Sequence, residues 1–344
     1  MINKQTRLFK LGIFVLLSTF LAACQPQDQA VNLYSARNET LIKPLLDEFT
    51  ADTGIKVNII SSKADALLKR IESEGINSPA DVLLTTDAGR LHRAKVANIF
   101  TPLNSSVINQ NIPSQYRDKD LMWAGLSIRV RPIMVTETGK SLGITSYEDL
   151  ANPTIGKSIC VRSSGNIYNQ SLIAGMLNSI QESEAEAWAS GIVNNMARAP
   201  QGGDRDQIRA AAAGQCSVVI ANTYYLANML ANQEKQNDYQ AGQAMTIIWP
   251  NQNGRGAHVN VSGAGILKTA PNKENALKLI EYLASEKAQK MYANVNFEYP
   301  AMNNIELNPI LQQWGDFKAD SVNLSFLGEK NSAAVKILDR AGWK

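Results

Sequence analysis

Hydrophobic periodicity along the chain alternates between period two and helical spacing. Residues 31–35 read as extended; Leu41, Ile42, Leu45, Leu46 and Phe49 recur at helical spacing; 55–60 is extended again. A helical pattern over 64–74 leads to the apolar run at 80–84, and a further helix is predicted from Gly89. This β-α-β-α-β order predicts an open, mostly parallel α/β sheet. A second such unit follows Tyr147, with a strand at 158–162, a helix at about 169–180, a strand at 217–221 and a helix from Tyr225. Between the units, 123–135 reads as one long extended segment, and 257–267 as another that returns toward the first unit. Two crossings of this kind suit a hinge between two lobes. Beyond Ala270 the pattern predicts a helix over 274–285, a loop at 294–302 and a short helical region at the end.

Lys4, Arg7 and Lys10 precede an apolar stretch over 11–23 that ends at Cys24, the order of a secretory signal. At roughly a dozen residues that stretch is too short to span a bilayer. Residues 21–24, Leu-Ala-Ala-Cys, are similar to the lipobox at which bacterial lipoproteins are cleaved and acylated, so residues 1–23 are read as signal peptide and Cys24 as the lipidated first residue. A cleaved signal without lipid is the other reading. The expected location is periplasmic or on the cell surface, with the membrane reached only through that lipid.

The formal charge of +3 comes from 34 basic and 31 acidic residues; three of the bases lie before Cys24, so the mature chain is balanced. No nucleic-acid surface is indicated. With 344 residues, 44% of them hydrophobic, the chain is long enough for two lobes. Apart from Cys24 there remain Cys160 and Cys216, each at the start of a predicted strand, which fits either a disulfide between neighbouring strands or two buried thiols. Two thiols and two histidines make a poor zinc site, and His92 and His258 are read as structural.

Three polar clusters stand past the carboxyl ends of predicted strands: Arg37-Asn38-Glu39, Asn166-Ile167-Tyr168 and Thr223-Tyr224-Tyr225. In open α/β sheets that edge binds ligands. A hard trivalent cation displaces phenolic protons at neutral pH, and three phenolates neutralise one ferric ion. Taken alone, a Tyr-Tyr pair equally describes two amphipathic residues packed at a domain interface. The signatures of zinc proteases, serine hydrolases, phosphate loops and dinucleotide turns are missing from the sequence.

Residues 61–65 (SSKAD), 78–91 (SPADVLLTTDAGRL), 162–172 (RSSGNIYNQSL) and 221–226 (ANTYYL) resemble, in this order, the substrate-binding proteins of ferric iron ABC importers. The resemblance covers essentially the whole mature chain. It implies the type II periplasmic-binding-protein fold, two open α/β lobes joined by a two-strand hinge. Lobe 1 would take 24–128 and about 259–305, and lobe 2 about 129–258 and 306–344. It further implies a monomeric binding protein, not an enzyme, that closes on iron (Fe3+) and hands it to a membrane permease and ATPase. A binding protein of the same fold for phosphate, thiamine or a polyamine is the alternative.

The family's tyrosine ligands fall on Tyr168, Tyr224 and Tyr225, and an arginine near the metal falls on Arg129, with Arg131 a competitor. That arginine would hold a synergistic anion such as carbonate or pair with a phenolate, unless it is an ion pair between lobes. Relatives commonly carry a histidine or tyrosine after the first-cluster arginine; this chain has Asn38 and Glu39. Either is a candidate oxygen donor, and Glu39 is equally a charge at a helix start. Asp87 is a further, weaker donor candidate. Gly202-Gly203-Asp204 is read as a turn.

Overall fold

The alternation at the start of the chain becomes β1 (Ala30–Ser35), α1 (Glu39–Thr53), β2 (Lys56–Ser61), α2 (Ala64–Glu74), β3 (Val82–Thr86) and α3 (Ala88–Val96) in a computed structural model that describes residues 29–344. Cys24 and the signal segment lie outside the described residues. α1 buries Ile42, Leu45, Leu46 and Phe49 on one face and ends at Gly54, whose φ of 72° is the left-handed cap that glycine adopts without strain. Every residue of β3 is buried, the mark of a strand covered on both faces.

The chain continues through β4 (Phe100–Thr101), α4 (Ser106–Asn111), β5 (Ala124–Val130), β6 (Ile133–Val135), α5 (Glu137–Lys140), β7 (Ile159–Cys160), α6 (Ile167–Met176), α7 (Glu182–Asn195), α8 (Asp204–Ala212), β8 (Val218–Ile220), α9 (Thr223–Ala231), α10 (Gln236–Gln243), β9 (Thr246–Ile248) and β10 (Val259–Leu267). It ends with α11 (Lys273–Leu283), α12 (Glu286–Val295), β11 (Tyr299–Pro300), α13 (Pro309–Gln312), α14 (Ser325–Glu329) and α15 (Asn331–Arg340). Two sheets result. One has the order β11-β5-β10-β3-β1-β2, with β4 also on β10; the other has the order β7-β8-β6-β9.

The first sheet is less parallel than its sequence suggests. Only β1, β2 and β3 run parallel, because β10 returns from the second sheet and inserts antiparallel between β3 and β5. The second sheet is mixed, with β7 and β8 parallel and β6 antiparallel to β8 and β9. The long extended segment over 123–135 is two strands in two sheets. It breaks at Arg131-Pro132, where proline has no N–H for a ladder and the chain crosses over. The return crossing lies beside it: Asn260 of β10 pairs with Arg129 of β5, and the Arg131 N–H donates to the His258 carbonyl at 3.1 Å.

The C-terminal helices connect both regions, α14 packing on α3 and α6, and α15 on α6 and α7. His92 lies against Gly328 of α14, where any side chain would collide with it. His258 is fully buried, and burial, aided by Arg131 and Arg255, pushes its pKa down to about 3, so it is neutral at physiological pH.

Cys160 and Cys216 are bonded, with Cα atoms 5.9 Å apart, joining β7 to the residues just before β8. The bond closes a separation of 56 residues. The chain-entropy argument gives it about 4 kcal/mol of stabilisation. Denaturant unfolding of the purified protein with and without a reductant should show a loss of this order, and coincident unfolding curves would contradict it.

Candidate metal centre

The tyrosines stand in the first turns of two helices. Asn166 caps α6 by accepting the Tyr168 N–H at 3.1 Å, and α9 begins at Thr223, so Tyr224 and Tyr225 are its second and third residues. Both helices start two residues earlier than periodicity indicates, because the caps and the polar first turns carry no apolar repeat. Successive helical residues are turned by roughly 100°, which lets adjacent tyrosines lean toward one region, as they would not on a strand. Their ring centroids are 4.3 Å apart.

Tyr168 joins them across the gap between the helices. The Tyr224 hydroxyl donates to the Tyr168 oxygen at 3.5 Å, and the Asn222 amide donates to the Tyr224 oxygen at 3.4 Å. From β5, Arg129 Nη1 donates to the Tyr168 oxygen at 2.7 Å, while its guanidinium carbon lies 5.1 Å from the Tyr224 ring centroid. On the far side Arg205 stands 5.7 Å over the Tyr225 ring. The structure thus gathers Tyr168, Tyr224, Tyr225 and Arg129 into one cluster.

Burial, reinforced by the neighbouring Tyr168, pushes the Tyr224 hydroxyl well above its ordinary value, and Arg129 only partly opposes this. Tyr225 is pushed up to about 12, by burial first and then by Tyr168 and Asp204. Both phenols therefore keep their protons near neutrality. A cation must carry a high charge density to displace them, and hard oxygen donors favour such an ion over a soft one. Among the described residues no group of three or more His, Cys, Asp or Glu side chains forms a competing metal site.

Arg131 plays a different part from Arg129. It is 1% exposed and donates to Asn169 Oδ1 at 2.6 Å, Asn222 Oδ1 at 3.1 Å, the Ile220 carbonyl at 3.2 Å and Asp204 at 3.3 Å. These acceptors belong to α6, to the cap of α9, to β8 and to α8, so Arg131 fixes the two tyrosine-bearing helix starts relative to β5. Asp204 also receives Arg162 at 2.7 Å. Asp204, in the stretch expected to be a turn, is instead the first residue of α8, where an acidic side chain in the first turn is favoured.

The first-cluster candidates make contacts within and beside α1. Asn38 caps α1, its side-chain oxygen accepting from the Thr40 N–H at 3.1 Å and the Thr40 hydroxyl at 2.9 Å. Glu39 is exposed in the first turn of α1 and accepts from Ser61 at 3.3 Å. Neither hydrogen-bonds a tyrosine. Asp87 is fully buried, and its oxygens accept from the Gly89 N–H at 2.8 Å, Ser171 at 2.7 Å and Asn260 at 2.7 Å. Those bonds hold a backbone with φ of 85°.

One participant had no sequence signal. Glu298, in the stretch read as a loop, accepts from Arg129 Nη2 at 3.1 Å and from Arg37 Nη1 at 2.9 Å, and the Ser127 hydroxyl makes a short hydrogen bond to it. Ser262 accepts from both arginines, from Arg37 Nη1 at 2.6 Å and from Arg129 Nε at 2.9 Å. Burial opposes ionisation of Glu298, yet the two guanidiniums outweigh it and hold the carboxyl below its usual range.

Comparison with known proteins agrees with this architecture. Residues 77–318 match the family model described as bacterial extracellular solute-binding protein. Iron uptake protein A1 of Synechocystis is 46% identical over 319 residues, covering 92% of this chain and 88% of the relative. The solved Trichodesmium protein IdiA (FutA), in complex with iron and citrate ligands, is 47% identical with a TM-score of 0.88, over 92% of this chain and 100% of that one. Apo FutA2 from Synechocystis is 39% identical with a TM-score of 0.87, over 92% and 100% of the two chains. The chain belongs to the family of bacterial extracellular solute-binding proteins.

Proposed function

We propose that this protein is the extracytoplasmic substrate-binding component of a ferric iron ABC importer, holding iron with the phenolate oxygens of Tyr168, Tyr224 and Tyr225. The observation that carries this reading is the convergence of three phenols from α6 and α9 on one another, with Arg129 against them. Relatives whose names describe iron uptake and a complex with iron and citrate support it. Three phenolates neutralise the ferric ion, and Arg129 remains as a cation for a phenolate or a companion anion such as carbonate or citrate. Binding rather than turnover is the activity, and the recipients are a cognate permease and ATPase.

In this reading lobe 1 comprises 24–128 and about 259–305, and lobe 2 comprises about 129–258 and 306–344. The lobes close about the paired β5 and β10 crossings. The protein acts as a monomer tethered through acylated Cys24. Asn38 and Glu39 serve α1, and water or the anion completes the coordination.

A Tyr224→Phe, Tyr225→Phe double variant should lose the visible phenolate-to-iron charge-transfer band and bind ferric iron weaker by orders of magnitude, as measured by citrate competition. An undiminished band at one iron per chain together with an unchanged affinity would refute the ligand assignment. Proton release gives the sign of the pH dependence. Tyr224 and Tyr225 are protonated without iron and ionised with it, so affinity falls as pH falls, by up to roughly a hundredfold per unit for these two protons. An affinity that is flat from neutral to mildly acid pH would contradict phenolate binding.

A further inference from the structure

Glu298 is 1% exposed and sits between two guanidiniums that are themselves buried, Arg37 at 3% and Arg129 at 5%. Two positive charges therefore face one negative charge where Arg37 after β1, Arg129 of β5 and Glu298 just before β11 meet, a wall backed by β10. The same Arg129 guanidinium that reaches Glu298 at 3.1 Å touches the Tyr168 oxygen at 2.7 Å, so the charge balance of this wall is felt at the phenols. Water screens little at such depth. Neither Glu298 nor Arg37 touches a tyrosine hydroxyl, and both are placed to act through Arg129.

We propose that Glu298 sets the oxidation-state selectivity of the iron site, cancelling one of two buried guanidinium charges so that the cleft prefers ferric over ferrous iron. This rests on the tyrosine site proposed above. The argument is one of charge balance. Three phenolates around one ferric ion carry no net charge together, so a fixed neighbouring charge acts little on that complex. The same three phenolates around a ferrous ion carry one net negative charge, which a neighbouring positive charge stabilises. Without its carboxylate, the wall gains one positive charge, and the ferrous complex is stabilised while the ferric complex changes little. Glu298 is thus a positioning and charge-setting residue, not a ligand.

The test compares the purified wild-type protein with Glu298→Gln, Arg37→Met and the double variant. Ferric binding is read from the charge-transfer band and citrate competition, and the reduction potential of the bound iron from bleaching of that band in a mediated electrochemical titration. Glu298→Gln should favour ferrous over ferric iron by roughly tenfold to a hundredfold, each tenfold being about 59 mV for a one-electron couple. Arg37→Met, which removes a positive charge, should shift the potential in the opposite direction, and the double variant should return close to wild type. A residue that served packing alone would not give shifts of opposite sign that cancel. Should Glu298→Gln fail to fold, a downward shift in Arg37→Met that is reversed in the double variant still decides the matter. Single variants that leave the potential unmoved, or move it in the same direction, overturn the role of Glu298 while leaving the tyrosine site standing. A wild-type protein without a charge-transfer band overturns both.

Discussion

A guanidinium removed from water has to be met by acceptors, and the strand that leaves the first sheet carries two of them, Arg129 and Arg131, two positions apart. Arg131 is the more demanding, since its acceptors come from four separate elements of the second region. α6, α8, β8 and the cap of α9 all converge on it, and in that arrangement Tyr168 stands beside Tyr224. Removing one partner from such a buried charge pair costs about 3–5 kcal/mol. Asn169 and Asn222 are therefore held in register by the same interaction that holds the tyrosines one and two residues away.

The hinge is built to keep Arg129 in place while the chain changes sheets. Pro132 ends the ladder of β5, and β10 returns beside it with Asn260 opposite Arg129. Asn260 in turn accepts from the Ala88 N–H at 2.8 Å and donates to Asp87, which also receives Ser171 of α6. A buried, hydrogen-bonded carboxylate at the start of α3 thus links the first sheet, the returning crossing and a tyrosine-bearing helix.

The parts of this plan that were legible in the sequence are those that repeat. The alternation of β1, α1, β2, α2 and β3 follows from period-two and helical spacing, and the three tyrosines follow from their places after strands together with the family resemblance. Glu298 was illegible because nothing local distinguishes it: it gains meaning only when β11 pairs with β5 and brings it to Arg37, distant by 261 positions. Asp204 carried a local signal as the first residue of a helix, but its partners Arg131 and Arg162 come from elsewhere in the chain. α7 was passed over although Ala185, Trp188, Ala189 and Ile192 recur at helical spacing behind a Gln181–Glu184 capping box. The antiparallel insertion of β10 is a property of chain return, which periodicity does not record.

The same geometry explains why the cluster is quiet until a suitable ion arrives. Helix starts favour negative charge, and all three tyrosines lie in first turns, so the backbone there is prepared for phenolates. Burial works against this and keeps the protons on Tyr224 and Tyr225. With Tyr224 and Tyr225 neutral, the pair makes no strong demand for a counterion, and weakly charged solutes gain little by entering. In the proposed reading a small trivalent cation displaces those protons, and the helix starts and Arg129 then stabilise the phenolates it forms. On that reading selectivity arises from two opposed terms of one site, the field that welcomes phenolate and the burial that withholds it, and the ion decides between them.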